Sequence, residues 1–315
     1  MSDVIDHFPV VGIIGAGHMA RMAVAPAISL GINLKLFAED KNDSAAQICD
    51  HVIGDFRNLE EVLKFARNCD VVTVEHGLTP LSIIKGLEAE GIRVYPRSSP
   101  LELVGAEIQA IEDLHSVELG SKIAVMVARS PHSQASTWVP TEIVTEDGAY
   151  IRTVSPARNL SSEQLEQASA RALIIAERIG LVGVAAVEMF IRGEEIFILN
   201  IAMHPHCAGN WTIEGSVTSQ FEQHLRAILD LPLGDPAMTA PFALTGNVFA
   251  GDKSDMYRPY LHLMARNPEL KFHQYRSDVH SGNHVGHVSA AGENLKHLED
   301  LIVHACEYMS GEIDE

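Results

Sequence analysis

The sequence predicts an α/β fold: a Rossmann-like parallel sheet at the N-terminus, then an α+β half built on antiparallel strands. Three observations carry this. Up to about residue 110, apolar β-type runs alternate with helix-period segments in short units. From Ile123 onward, strands are joined by tight turns such as EDG and RGEE, with one long helical stretch among them. A chain of 315 residues is also long for one core, so two or three subdomains are expected.

Residues 10–17, VVGIIGAG, form an apolar β-type run ending in glycines, and HMARMAVAPAISLG carries helical spacing to Gly31. INLKLFAED reads as a second strand closing on acids, and a further helical stretch starts over Ala45–Cys49. VLKFARNC reads as helix, DVVTVEH at 70–76 as strand, LSIIKGLEAEG as helix and IRVYP as strand. Such units build a parallel sheet. Later, IAVMVARS, STWVPTEIVTEDGAYIRTVSP, VAAVEMF and EEIFILNIA read as strands. The helix among them, SSEQLEQASARALIIAERIG, has Ser161 or Ser162 as N-cap and Gly180 as C-cap. Further on, SQFEQHLRAILDLPLG sets Phe221, Leu225, Ile228 and Leu229 at helical spacing. The tail holds LTGNVFAG as strand, YRPYLHLMARNP as helix, KFHQY and HVGHVSAAG as strands, and NLKHLEDLIVHACEYM as a closing helix.

Composition narrows the function classes. With 46% hydrophobic and 21% charged residues, the chain is an ordinary globular one. No apolar run reaches the roughly 20 residues of a membrane span, and the N-terminus lacks the features of a signal peptide. Four widely spaced cysteines without a CxxC pair point to reduced thiols and a cytoplasmic location. A formal charge of −19 argues against nucleic acid or an anionic membrane as partner. Sixteen histidines invite a metal or pH argument, though most histidines are ordinary surface or core residues.

Two places carry candidate chemistry. Gly12, Gly15 and Gly17 lie on VGIIGAGHMARM at a strand-to-helix turn, where helix N–H groups can face a phosphate; the same glycines also suit a plain tight turn. The G-x-G-x-x-G spacing is not met, because Ala20 stands where the third glycine belongs, and the acids Glu39 and Asp40 at the next strand end are a weak signal. The second place is NIAMHPHCAGNWTIEG, which packs His204, Pro205, His206, Cys207, Gly209 and Asn210 into an irregular loop before a core helix. With Glu188 nearby, an H-x-H-C cluster suits zinc or another late transition metal, while drifted residues in a disused pocket fit the same pattern. Cys207 alone reads more as a small buried residue than as a nucleophile. Glu75 and His76, at a strand's carboxyl end, read as either a polar strand end or ligand contacts.

The stretch from Asn200 to Pro236 resembles the signature of the N5-carboxyaminoimidazole ribonucleotide synthetases, ATP-grasp enzymes of purine biosynthesis, whose form is close to NE-(I/L)-A-(P/M)-RPHNSGHWTID…TSQFEQHLRA…LPLG. The likeness extends to Val11–Arg21, DVVTVEH, AVMVARSP, GLVGVAAVEMF, GNVFAGD and YRSDVHSGNHVGHV, and so covers essentially the whole chain. It implies a pre-ATP-grasp, Rossmann-like domain over 1–112, a truncated ATP-grasp core over 113–240 and a small C-terminal subdomain over 241–315. Members carry a GGGQLARM-like turn without using NAD; here its Gln is His18 and one Gly is Ala16.

The departures matter as much as the matches. Between Glu107 and Ile123 only IQAIEDLHSVELGS stands where the resemblance implies a Lys-bearing helix, an ATP-covering lid and a GYDG(K/R)G loop. Phosphoryl chemistry needs cations and backbone N–H groups around the triphosphate, and most of these donors are missing. Of the two Mg²⁺ carboxylates the resemblance implies, Glu188 keeps one and Asn200 replaces the other with a neutral amide. The RPHNSGH loop has become His204 to Asn210, without its Arg and its last His. In the segment matching YGKxxRPGRK, which binds the substrate phosphate, Ser277, His280, Asn283 and His284 stand for basic residues, and Arg276 is a shifted cation.

The expected site therefore comprises Glu188, His204, His206, Cys207 and Asn210 as catalytic candidates. Gly15, Gly17, His18, Glu75, His76, Tyr275, Arg276, His280 and His284 are ligand contacts, and Glu188, His204 and His206 are candidate metal ligands. Three functions are carried forward in order: a homologue that has lost ATP-driven carboxylation but keeps a nucleotide- or imidazole-binding cleft; an ATP-independent metal- or His-dependent decarboxylase, hydrolase or lyase in the old pocket; and an intact ATP-dependent carboxylating ligase. ATP with Mg²⁺ is not expected as cofactor, and zinc is an open candidate. The expected partners are a small molecule related to aminoimidazole ribonucleotide and, by resemblance, a second copy of the chain.

Overall fold

Five short strands, linked by helices except between β2 and β3, set up the N-terminal half. The computed structural model describes residues 7–109, 121–146, 149–251, 255–277 and 279–313. The order is β1 (Val10–Ile14), α1 (His18–Leu30), β2 (Asn33–Ala38), β3 (Asp50–Ile53), α2 (Leu59–Ala66), β4 (Val71–Val74), α3 (Leu81–Ala89) and β5 (Val94–Tyr95), followed by α4 (Ser98–Gln109). The strands pair in parallel in the order β3-β2-β1-β4-β5. Chain direction away from the sheet centre thus reverses between β1 and β4, the switch point outside whose carboxyl ends such sheets bind ligands.

One local expectation changes, and one helix appears that the sequence reading did not assign. Ala45–Cys49 is a run of turns, not a helix. It is pinned by Asp43, whose carboxylate accepts the Glu39 and Asp40 N–H groups, and the chain enters β3 at Asp50, leaving too few residues to repay helix nucleation. In the stretch before the shortened middle, SSPLELVGAEIQ is helical, with its first N–H held by Glu88. Most of the segment expected to replace the lid, 110–120, lies outside the described residues.

The second half is one nine-stranded sheet. It is built from β6 (Ser121–Arg129), β7 (Ala135–Thr137), β8 (Thr141–Glu146), β9 (Ala149–Ser155), β10 (Gly183–Arg192), β11 (Glu195–Ala202), β12 (Phe242–Phe249), β13 (Lys271–Gln274) and β14 (His284–Gly292). Its order is β11-β10-β6-β8-β9-β12-β14-β13, with β7 on β6. The expected boundary at 240/241 falls inside this sheet, because β12 pairs antiparallel with β9. Helix α5 (Ser162–Arg178) covers the sheet through Ala168, Ala172 and Ala176, and α9 (Leu295–Ser310) packs on β12 and β14.

The halves meet at α7 (Gln220–Ile228), which follows the short α6 (Thr212–Gly215); α8 (Pro259–Arg266) lies before β13. Phe221, Leu225 and Ile228 of α7 join the core of β1, β2 and α1, while the helix also packs on β6 and β10. Its buried His224 bridges the two sheets, accepting the Val184 N–H at 3.1 Å and pairing with Thr73 Oγ1 at 2.9 Å. Gly183, at φ +105°, leaves room for that ring, since a Cβ there would lie 2.9 Å from it. Among the described residues, no helix is long and apolar enough to cross a membrane, and all four cysteines are free.

Candidate functional site

The glycine turn after β1 faces a side chain. Glu75, just past β4, accepts hydrogen bonds from the N–H groups of Gly17 (2.5 Å), Met19 (3.0 Å) and Ala20 (3.2 Å). Its carboxylate therefore sits on the positive end of α1, where an anion is favoured. A Cβ at Gly15, whose φ is +112°, would lie 2.7 Å from that carboxylate, and one at Gly17 2.6 Å. The glycines admit Glu75, so the cradle a phosphate would use is filled by the protein itself. Burial pushes the Glu75 carboxyl up, and the backbone N–H bonds and His76 pull against this.

Beside this cap, at the switch point, lies a cavity of about 360 Å³. Gly15, Gly17, His18, Glu75 and His76 form one side, and His204, His206 and Cys207 the other. Glu39, Asp43 and Phe56 also line it; of these the sequence singled out only Glu39, weakly, because the others reach the cavity through the loops flanking β3. The second wall is held by Gln220 of α7, which accepts the His206 N–H at 2.9 Å and donates to the His206 carbonyl at 2.7 Å. A neighbouring aromatic group extends the first wall: His18 stacks on Tyr275 at 4.4 Å between ring centroids and meets His284 edge-on at 5.6 Å. Tyr275 is fully buried and pairs through its hydroxyl with His287 at 2.7 Å.

Burial sets the protonation of these groups. His18, His206 and His284 are each lowered to about 4, first by burial, and His204 is lowered for the same reason. Burial and then Glu188 push the Cys207 thiol up to about 12. Around the cavity, then, stand uncharged imidazoles and a thiol, not a thiolate nucleophile. Cys207 Sγ lies 3.9 Å from both His206 ring nitrogens, across the ring instead of along a proton-transfer line.

The other expected residues are placed differently. Asn210 is buried between Gln220 and the Tyr275 hydroxyl, off the cavity, so it packs the loop and does not face a ligand. His280 and Arg276 are exposed, and neither lines the cavity. Arg276 sits at φ +58° with its carbonyl taken by Gln47, which turns the segment outward. Glu188 stands behind His206, 4.0 Å from its Nε2.

The Mg²⁺ fit fails on specific contacts. Tyr150 donates its hydroxyl to Glu188 Oε1, and the Lys122 ammonium stands 3.7 Å from Oε2 and 4.8 Å over the Tyr150 ring. Opposite Glu188 in the β10–β11 ladder, Asn200 spends its amide oxygen on the Ile201 N–H at 2.9 Å. The His204 and His206 rings are 6.4 Å apart, and among the described residues no three His, Cys, Asp or Glu side chains are placed to hold a metal ion. The expected Glu188–His204–His206 set does not close. Neither Lys122 nor Tyr150 was singled out from the sequence; a lysine opening an otherwise apolar strand was the available signal.

Comparison with known proteins agrees with this architecture. Residues 9–105 match the ribonucleotide synthetase preATP-grasp domain, and residues 104–221 the ATP-grasp domain. The N5-carboxyaminoimidazole ribonucleotide synthase of Mycobacterium leprae is 30% identical over 371 residues, covering 90% of this chain and 84% of that protein. Its Mycobacterium tuberculosis counterpart is 29% identical over 379 residues, covering 96% and 88%. Among solved structures, the Thermus thermophilus synthetase superposes with a TM-score of 0.83 at 24% identity, covering 97% of this chain and 99% of that one. The Aspergillus clavatus synthase in complex with ADP and 5-aminoimidazole ribonucleotide gives 0.81 at 24% identity, with the same coverage.

Proposed function

The chain belongs to the N5-carboxyaminoimidazole ribonucleotide synthase family, and from that premise we propose that it keeps a small-molecule cleft but has lost ATP-driven carboxylation. The observation that carries this is the state of Glu188. The one carboxylate retained from the expected Mg²⁺ pair is answered inside the protein by Lys122 and Tyr150. A divalent ion there would have to displace an ammonium group and would meet an amide already committed to the backbone. The length of the relatives supports the same reading, since the 379-residue alignment exceeds this chain's 315 residues. The cleft itself is intact: it sits at the switch point and is built on buried, hydrogen-bonded walls.

Mg-ATP separates this reading from an intact ligase. Because a ligand that binds only the folded state raises the unfolding midpoint, Mg-ATP at millimolar concentration is expected to leave the midpoint unchanged. No ADP is expected to form when bicarbonate and 5-aminoimidazole ribonucleotide are added. A dose-dependent shift with Mg-ATP, or ADP release that requires the ribonucleotide, would restore the ligase.

A further inference from the structure

We infer that the cavity takes a phosphate-free amino-substituted heterocycle, a free base or riboside, in place of a ribonucleotide; this rests on the reading of the cavity as a ligand site. Proteins hold phosphate with cationic side chains and with backbone N–H groups at a helix N-terminus. Here both means are withdrawn. No Lys or Arg is among the described residues lining the cavity, whereas Glu39, Asp43 and Glu75 are. Two nearby guanidiniums are committed, Arg57 to Glu39 and Asp55 and Arg21 to the Ser44 carbonyl at 2.6 Å, and exposed Arg276 does not line the cavity. At the start of α1, the N–H groups of Gly17, Met19 and Ala20 are occupied by Glu75. A phosphate dianion entering this cavity would meet carboxylates and the buried, uncharged rings of His18, His204 and His206, with no lining Lys or Arg to offset its lost hydration.

What the walls do offer suits a flat, donor-rich ring. His76 lies edge-on to Phe56 at 5.5 Å, and His18 is backed by Tyr275, so aromatic surface is present on the same side as the acidic floor. Carboxylates accept from amino groups, and neutral imidazoles can accept or donate. A volume of about 360 Å³ is near the lower end for small-molecule sites, about 300–1,000 Å³. The cavity thus favours a compact, uncharged or cationic molecule.

The test is calorimetric titration of the full chain with a matched pair, 5-amino-4-imidazolecarboxamide riboside and its 5′-monophosphate. The riboside is expected to bind at least about tenfold more tightly, with the gap narrowing as salt screens the carboxylates. Equal or tighter binding of the monophosphate would overturn the inference and leave the cleft reading standing. Failure of both probes to bind at millimolar concentration would overturn the cleft reading as well. One variant, His204→Arg, places a guanidinium on the cavity wall and is expected to strengthen monophosphate binding selectively. If that variant keeps the wild-type circular dichroism and melting transition yet the gap is unchanged, charge does not set the selectivity.

Discussion

Glu188 and Lys122 are three-dimensional neighbours by register. In the antiparallel β6–β10 ladder Glu188 opposes Ala124 and Lys122 opposes Phe190, so the two side chains share a face on the diagonal. That relation depends on which residues pair across strands, which is why Glu188 could be singled out as a candidate from the sequence while its partners could not. Glu75 is a parallel case. It reads as a polar strand end or a ligand contact, and its role as the cap of α1 appears only when β4 is laid beside β1. Removing the ammonium should expose the cost of the buried carboxylate: Lys122→Met is expected to lose about 2 kcal/mol of stability, because Glu188 is left without its cation. Adding Glu188→Gln should recover part of that loss, so the double variant falls short of the sum of the two singles in denaturant unfolding.

Elements with a strong period were readable, and those fixed by a single tertiary contact were not. The long helix α5 announces itself by its alanine stripe and by a complete capping box, with Ser161 accepting the Gln164 N–H and Gln164 accepting the Ser161 N–H. The chain then leaves the helix through Gly180 at φ +66°. Ser161→Ala is expected to cost about 1 kcal/mol, read as a lower urea midpoint with unchanged slope. By contrast, β3 is a mostly exposed strand whose only partner among the described residues is β2, and nothing in DHVI alone sets it apart from the loop before it. Helix α4 is similarly quiet in sequence, with Pro100 in its first turn and its first residue held by Glu88 from α3.

At the scale of the whole molecule, buried neutral imidazoles tie stability to pH. His224 between the two sheets is lowered to about 3 by burial, and His18 and His284 to about 4. In the unfolded chain these groups titrate near about 6.5, so below that value the unfolded state binds more protons and stability is lost as pH falls toward the folded values. Each group then contributes a slope of up to about 1.4 kcal/mol per pH unit. The melting midpoint is expected to hold near neutrality and fall steeply between pH 6.5 and about 4. His224→Gln, which can still accept the Val184 N–H, should make that fall shallower by about one proton. The two-sheet plan itself was visible in the change from alternating to turn-linked strands, whereas the continuity of the second sheet across residue 240 was not, since β9 and β12 are remote in sequence. That continuity reaches back to how the protein is made. Strand β14 lies between β12 and β13, and α9 then covers it, so a ribosome must deliver the chain through Gly292 before the second sheet can close. The strands of the first sheet are complete by Tyr95, but its companion must wait for β14 (His284–Gly292) to emerge, and chaperones have their longest opportunity on the strands from β6 onward.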